Sequence, residues 1–358
     1  MRILNPDIKT IGKEVLFLHV GGNTPRMGEG SFIRLADGSI MFAYISYIGE
    51  HWGDHCPADI AAVVSTDQGE TWSAPRILLK HDENSRNLMC PSLLRLKNGK
   101  IGMVLLRKEG SDCIPHFSVS ADEGRTFSTP RPCTDLHGYY VFENDHAIML
   151  NSGRILAPLN HHDIVDGKIS RYGKMLMIAS DDDGETWSII SEEVSSPLPP
   201  EVTTSGLQET AVYQMSDGTI RATSRTDLGC QWECYSKDDG TTWSTPMPNR
   251  FFTSPEAPLL MKDVGPFTVA AFCPMPNFTA RRKNRSWGRT PIIAAVSDDR
   301  GKTFRRIFYL EDDFENGYAY PAIFDGGDYM LISYYHSDNL DAVLRSTKIL
   351  KIAYSEIM

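Results

Sequence analysis

The chain has 358 residues, with 36 Lys and Arg against 46 Asp and Glu, giving a formal charge of −10 and a pI near 5.5. That balance argues against a basic nucleic-acid or membrane-surface binder, and 41% hydrophobic residues with scattered Gly and Pro exclude disordered and collagen-like chains. No apolar run reaches the ~18 residues that crossing a bilayer requires, the first residues lack the apolar stretch of a signal peptide, and seven scattered cysteines suit free thiols, so a soluble cytoplasmic protein is expected.

In chain order, the first predicted element is a strand over Glu14–Val20. A turn dipeptide ending in Gly, set between apolar stretches, follows at Asp37-Gly38 and recurs at Asn98-Gly99, Ser152-Gly153, Asp217-Gly218, Val264-Gly265 and Asp325-Gly326. Each reads as a hairpin. Interleaved with these, the pattern Ser-x-Asp-x-Gly-x-Thr-aromatic occurs five times, starting at Ser65, Ser120, Ser180, Ser236 and Ser297. Its Asp can accept backbone N–H bonds across the loop, its Gly can take φ > 0, and its aromatic can pack beneath, so the motif is structural. Apolar runs such as Ile60–Val64 and Ile292–Val296 lead into the motif and read as strands. Cys230 and Cys234 share one such stretch, without a second Cys/His pair to complete a zinc site. Six hairpins alternating with five boxed turns, and no long amphipathic helix, predict six four-stranded sheets. The expectation is an all-β, six-bladed β-propeller spanning 1–358 as a single domain, with Glu14–Val20 and the run from Ala342 to Tyr354 meeting in the last blade.

The boxed turns resemble the Asp-box repeat of the sialidase (neuraminidase) superfamily. That resemblance implies three arginines clamping a substrate carboxylate, an Asp acid/base on a loop, and a Tyr nucleophile assisted by a Glu. The residue types suit the chemistry. A neutral phenol can approach an anomeric carbon that bears a carboxylate, whereas a second carboxylate would be repelled, and guanidinium forks fix a planar anion as Lys cannot.

By resemblance, Arg26 is the first arginine, although Arg26-Met27-Gly28 with Glu29 behind it departs from the family's usual Arg-Ile-Pro. Asp54 is the acid/base, with Asp59 as fallback. Glu209 and Arg225 stand 16 residues apart around the Asp217-Gly218 hairpin and match the family's Glu-then-Arg arrangement. Arg289 is the third arginine, with Arg281, Arg282 and Arg285 in the same loop, and Tyr320 is the nucleophile. Tyr318 is two residues away and would face the same side of a regular strand. Asn144, Asp145 and His146 are candidates for the pocket wall, as are His161, His162, Asp163 and Gln231, with Lys108, Asp112 and Trp232 as weaker ones. Proximity to arginines should favour an ionised Tyr320, and loop closure over substrate should raise the pKa of Asp54.

The resemblance thus implies a retaining exo-glycosidase that needs no cofactor or metal and acts on a glycan with a terminal sialic acid or related acidic sugar. A lyase on the same scaffold and a propeller that binds carbohydrate without turnover remain alternatives.

Overall fold

The computed structural model describes residues 7–276, 288–337 and 344–358; Arg281, Arg282 and Arg285 lie outside them. The fold is all-β and propeller-like, with twenty-five strands and one 3₁₀ turn, Tyr354–Glu356, among the described residues. No helix there is long and apolar enough to cross a membrane.

The sheets follow one plan. In the first, Met27–Arg34, Ile40–Tyr47, Ala58–Ser65 and Arg76–Leu79 pair antiparallel in chain order, and Gln208–Gln214 through Met247–Thr253 and Leu260–Val264 through Glu311 repeat the order. Single parallel pairs, Ala58 with Asn87 and Cys113 with Tyr139, link the third strand of one group to the first of the next. Second strands such as Ile40–Tyr47 are buried on both faces, because neighbouring sheets pack against each side. Outer strands such as Met247–Thr253 are largely exposed. This gradient explains why the inner strands read as unbroken apolar runs rather than as alternation. As expected, the N-terminal strand, Lys13–Leu18, pairs with Ser346–Ala353 beside Tyr329–His336 and Tyr318–Asp325.

The boxed turns take the expected form at all five positions. In the third copy, Asp182 Oδ1 accepts the Thr186 N–H at 2.8 Å, its Oδ2 accepts the Thr186 hydroxyl at 2.6 Å, and Ser180 Oγ donates to Oδ1 at 2.8 Å. Gly184 has φ 83°, and a Cβ there would sit 2.1 Å from the Phe117 ring, so both conformation and space require glycine. Trp187 packs on Phe117 at a centroid distance of 5.4 Å, which ties one sheet to the next. The residue before each box Gly (Gln68, Glu123, Asp183, Asp239 and Arg300) also has positive φ. All seven cysteines are free.

Candidate active site

Four first strands carry the same irregularity. Between Gly28 and Ser31 the register shifts so that Glu29 and Gly30 stand opposite Tyr44 alone. The same two-against-one arrangement sets Cys90 and Pro91 against Leu105, Glu209 and Thr210 against Ser224, and Tyr320 and Pro321 against Tyr334. These are β-bulges, and the first residue of each has φ in the left-handed region: Glu29 48°, Cys90 53°, Glu209 43° and Tyr320 55°. Non-glycine residues adopt that conformation at a cost of about 1–3 kcal/mol each. The result here is convergence, since all four side chains line one cavity of about 110 Å³, together with Arg26, Asp54, Lys108 and Glu143.

Tyr320 and Glu209 are in direct contact: the phenol donates to Glu209 Oε1 at 2.8 Å. Arg225 Nη1 donates to the same carboxylate oxygen and lies 3.4 Å from the Tyr320 oxygen. The Arg289 guanidinium stands 5.5 Å from the Tyr320 ring centroid, and its Nε donates to the Glu256 carbonyl at 3.1 Å. Glu256 further pairs with Arg171 and lies 3.6 Å from Arg225. Among the described residues, three buried polar atoms here have no hydrogen-bond partner: Glu209 Oε2, Arg225 Nε and Arg289 Nη1. Unsatisfied donors on two buried guanidiniums are matched to an anion.

Arg26 is almost completely buried, at 1% exposure. Its Nε donates to the Tyr335 hydroxyl at 2.8 Å, one Nη to Asp54 Oδ1 at 2.6 Å and the Trp52 carbonyl at 3.3 Å, and the other Nη to Glu29. The loop bearing Asp54 is pinned through its backbone. The Asp54 carbonyl accepts from Lys108 Nζ at 2.7 Å and from Asn87 Nδ2 at 2.8 Å. Its side chain remains 59% exposed and pairs with the buried Arg26.

The electrostatics differ from two expectations. Burial, reinforced by Glu209, raises the Tyr320 pKa well above its ordinary value and outweighs Arg289 and Arg225, so the phenol is neutral rather than ionised. Asp54 moves the other way: burial tends to raise its pKa, but Arg26 and Lys108 prevail and hold it below the ordinary carboxylate range. Among the described residues Glu143 has no cationic hydrogen-bond partner, and burial, with Glu209 and Glu29 nearby, pushes its pKa well up.

The structure separates Tyr318 from Tyr320. The bulge breaks the alternation that would put them on one side, so Tyr318 turns into the core against Tyr334 and donates to the Asp313 carbonyl at 3.0 Å. Asp59 does not line the cavity; its Oδ1 accepts from the His81 N–H at 2.9 Å and faces His81 Nδ1 at 2.7 Å. Asn144, Asp145 and His146 tie inner strands together instead of facing the cavity. Asn144 Nδ2 donates to the Gly30 carbonyl, Asp145 accepts from Ser31 Oγ, Lys262 and the Ile323 N–H, and His146 Nδ1 faces the Thr210 carbonyl. Burial lowers the His146 pKa to about 3, so that tie is made by a neutral ring.

Gln231 is buried and donates to Ser254 Oγ and the Ala257 carbonyl, which fixes the segment carrying Glu256. Trp232 packs in the core of its own sheet. His161 pairs with Glu193 and stacks on Tyr140, where it meets Asp163 and Lys174, and His162 Nδ1 faces the Ser170 carbonyl. Sequence reasoning left Glu29, Cys90 and Glu143 unassigned. Their only signal is a polar residue, or a Cys, within an otherwise apolar inner strand or the segment leading into one.

The BNR repeat-like domain family matches residues 57–332. A Dyadobacter fermentans protein of unknown function superposes with a TM-score of 0.74 at 18% identity, covering 97% of this chain and 100% of its own. A Hadza microbial sialidase gives 0.75 at 17%, covering 97% and 69%. The Ruminococcus gnavus intramolecular trans-sialidase, solved with oseltamivir carboxylate, gives 0.72 at 13%, covering 96% and 98%. No curated protein matches the sequence. The sialidase structures share this chain's fold, and the family match spans most of its length, so the chain belongs to the BNR repeat-like domain family.

Proposed function

We propose that the protein is a retaining exo-glycosidase of sialidase type, built as a single six-bladed propeller and acting on glycans that end in sialic acid or a related acidic sugar. The observation that carries this reading is the Tyr320 hydroxyl donating to Glu209 while Arg225 grips the same carboxylate oxygen. A neutral, buried phenol becomes a nucleophile only as its proton leaves, and Glu209 Oε1 is positioned to take it.

The substrate carboxylate occupies the space between Arg26, Arg225 and Arg289, where Arg225 Nε and Arg289 Nη1 wait unpaired. To reach Arg26 it displaces Asp54 from the guanidinium. That exchange separates Asp54 from Arg26, the stronger of the two cations that hold its pKa down, and brings a negative charge close by, and both changes drive Asp54 to take up a proton. Tyr320 then attacks the anomeric carbon as its proton passes to Glu209, and Asp54 protonates the departing oxygen. In the second half Asp54 accepts a proton from water, the hydroxide adds to the anomeric carbon, and Tyr320 leaves with the proton returned by Glu209.

The test is release of 4-methylumbelliferone from its α-N-acetylneuraminic acid conjugate by wild type, Tyr320→Phe and Asp54→Ala. Turnover by wild type that Tyr320→Phe abolishes is expected. Wild-type turnover that survives Tyr320→Phe unchanged would overturn the nucleophile, and a folded but inactive wild type would move the acid clamp to another ulosonic or uronic acid.

A further inference from the structure

Three buried side chains that line the cavity take no step in the reaction above: Glu29, Cys90 and Glu143. One ligand atom of each lies within 4.8 Å of those of the other two. Cys90 Sγ stands 3.4 Å from Glu29 Oε2 and 3.7 Å from Glu143 Oε2, yet a thiol has one hydrogen and can serve only one of these oxygens. Arg26 holds Glu29 through the other oxygen, Oε1, so Oε2 is left to the sulfur.

We propose that Glu29, Cys90 and Glu143 form a binding site for zinc, and that the bound ion switches off Glu209 as a base. The spacing fits. In a tetrahedral site with Zn–S about 2.3 Å and Zn–O about 2.0–2.2 Å, a ligand sulfur and a ligand oxygen stand about 3.5–3.7 Å apart. Both separations from Cys90 lie in or next to that range. A thiolate in the set selects zinc over magnesium and calcium, which take oxygen ligands. As the bonds form, the protons of Cys90 and Glu143 pass to solvent.

A second observation, independent of the trio, points to the same ligand. Glu209 is only 9% exposed, it lines the same cavity, and its Oε2 has no hydrogen-bond partner among the described residues. Its charge acts on Glu143 more strongly than any other, which sets it beside the trio. A water on the ion's fourth position can donate to that oxygen. With this hydrogen bond and a divalent cation close by, Glu209 becomes a weaker base and no longer draws the proton from Tyr320. This last consequence rests on the glycosidase reading; the site itself does not.

The experiment titrates the chelator-treated full chain with zinc against a chromophoric competitor, and repeats the titration with cobalt(II) followed by absorption. Wild type is compared with Cys90→Ser, Glu143→Gln and, as a control outside the cavity, Cys230→Ser. One zinc per chain is expected in wild type and in the control. Binding should be weaker by about tenfold or more in Cys90→Ser and Glu143→Gln, since even outer-shell changes cost that much. Cobalt should give a thiolate-to-metal charge-transfer band that Cys90→Ser lacks. No binding by wild type, or a band that survives Cys90→Ser, would overturn the site. If Cys90→Ser does not fold, Glu143→Gln decides, and unchanged zinc affinity overturns the site. Where wild type releases 4-methylumbelliferone, one equivalent of zinc should lower kcat by about tenfold or more and a chelator should restore it. Zinc bound without a change in rate would overturn the switch, whereas zinc bound by a chain that turns over no substrate would count against the glycosidase reading alone.

Discussion

The boxed turns and the central cavity lie at opposite ends of the same strands, Ser65 leading into a box where Ala58 starts beside the Asp54 loop. They treat carboxylates in opposite ways. In a box, one exposed Asp receives a Ser hydroxyl, a Thr hydroxyl and a Thr N–H, and its charge is fully satisfied locally. In the cavity, Glu29, Asp54, Glu143 and Glu209 crowd a small volume, share two arginines unevenly, and leave Glu209 Oε2 without a partner. A satisfied carboxylate fixes a turn, whereas unsatisfied groups held in place by bulged strands are poised for a ligand.

The contrast can be broken most sharply at Glu209. Glu209→Gln keeps the shape but removes the base, and we expect a loss of about 10²–10⁴-fold in kcat in a variant shown by circular dichroism to be folded; a rate near wild type would show that Tyr320 does not need it. Next in size, Arg26→Met leaves Glu29 buried beside no cation, and urea unfolding should show a loss of about 3 kcal/mol. Retained stability would mean that Glu29 simply takes up a proton.

A smaller effect concerns Asp54. Because Arg26 and Lys108 hold its pKa below the ordinary value, substrate binding must bring a proton with it. Above that pKa, kcat/KM should fall by about tenfold per pH unit where this protonation limits the reaction. A flat profile from pH ~5 to ~8 would remove Asp54 as the acid.

The smallest effects belong to the boxes. Asp182→Ala should lower the melting temperature by a few degrees and leave kcat untouched. The carboxyls of Asp67, Asp122, Asp182, Asp238 and Asp299 are held down at about 2, chiefly by the Thr hydroxyl and N–H of each turn. Their folded pKa lies below the ordinary ~3.9. The stabilisation is therefore complete above about pH 5 and is lost as pH falls through 4 towards 2. Acid unfolding insensitive to a box substitution would refute this.

Box and hairpin positions were legible in the chain because each is a local chemical device: Ser, Asp, Gly and Thr make their bonds within eight residues. The closing pair of terminal strands was legible from apolar pattern. The cavity was legible only where spacing carried the resemblance, so Arg26, Asp54, Glu209, Arg225, Arg289 and Tyr320 were singled out and the structure brings them together. What spacing cannot convey is side-chain direction after a bulge. Left-handed φ at Glu29 and Cys90 turned two residues that look like strand interior into cavity lining, and the same twist parted Tyr320 from Tyr318. Asn144, Asp145 and His146 look like a polar pocket in sequence, yet their partners are backbone groups and side chains of neighbouring inner strands.

The pairing of Lys13–Leu18 with Ser346–Ala353 carries a consequence for the order of assembly during synthesis. Lys13–Leu18 is made long before its partner, because more than three hundred residues separate it from Ser346. Until then Lys13–Leu18 is an unpaired strand, and once Ser346–Ala353 folds onto Tyr329–His336 it too presents an open edge. Such edges recruit other chains. Completion of this sheet is therefore a kinetic race between a distant intramolecular partner and a neighbouring nascent chain, and expression conditions that slow translation or crowd unfinished chains should favour the wrong winner.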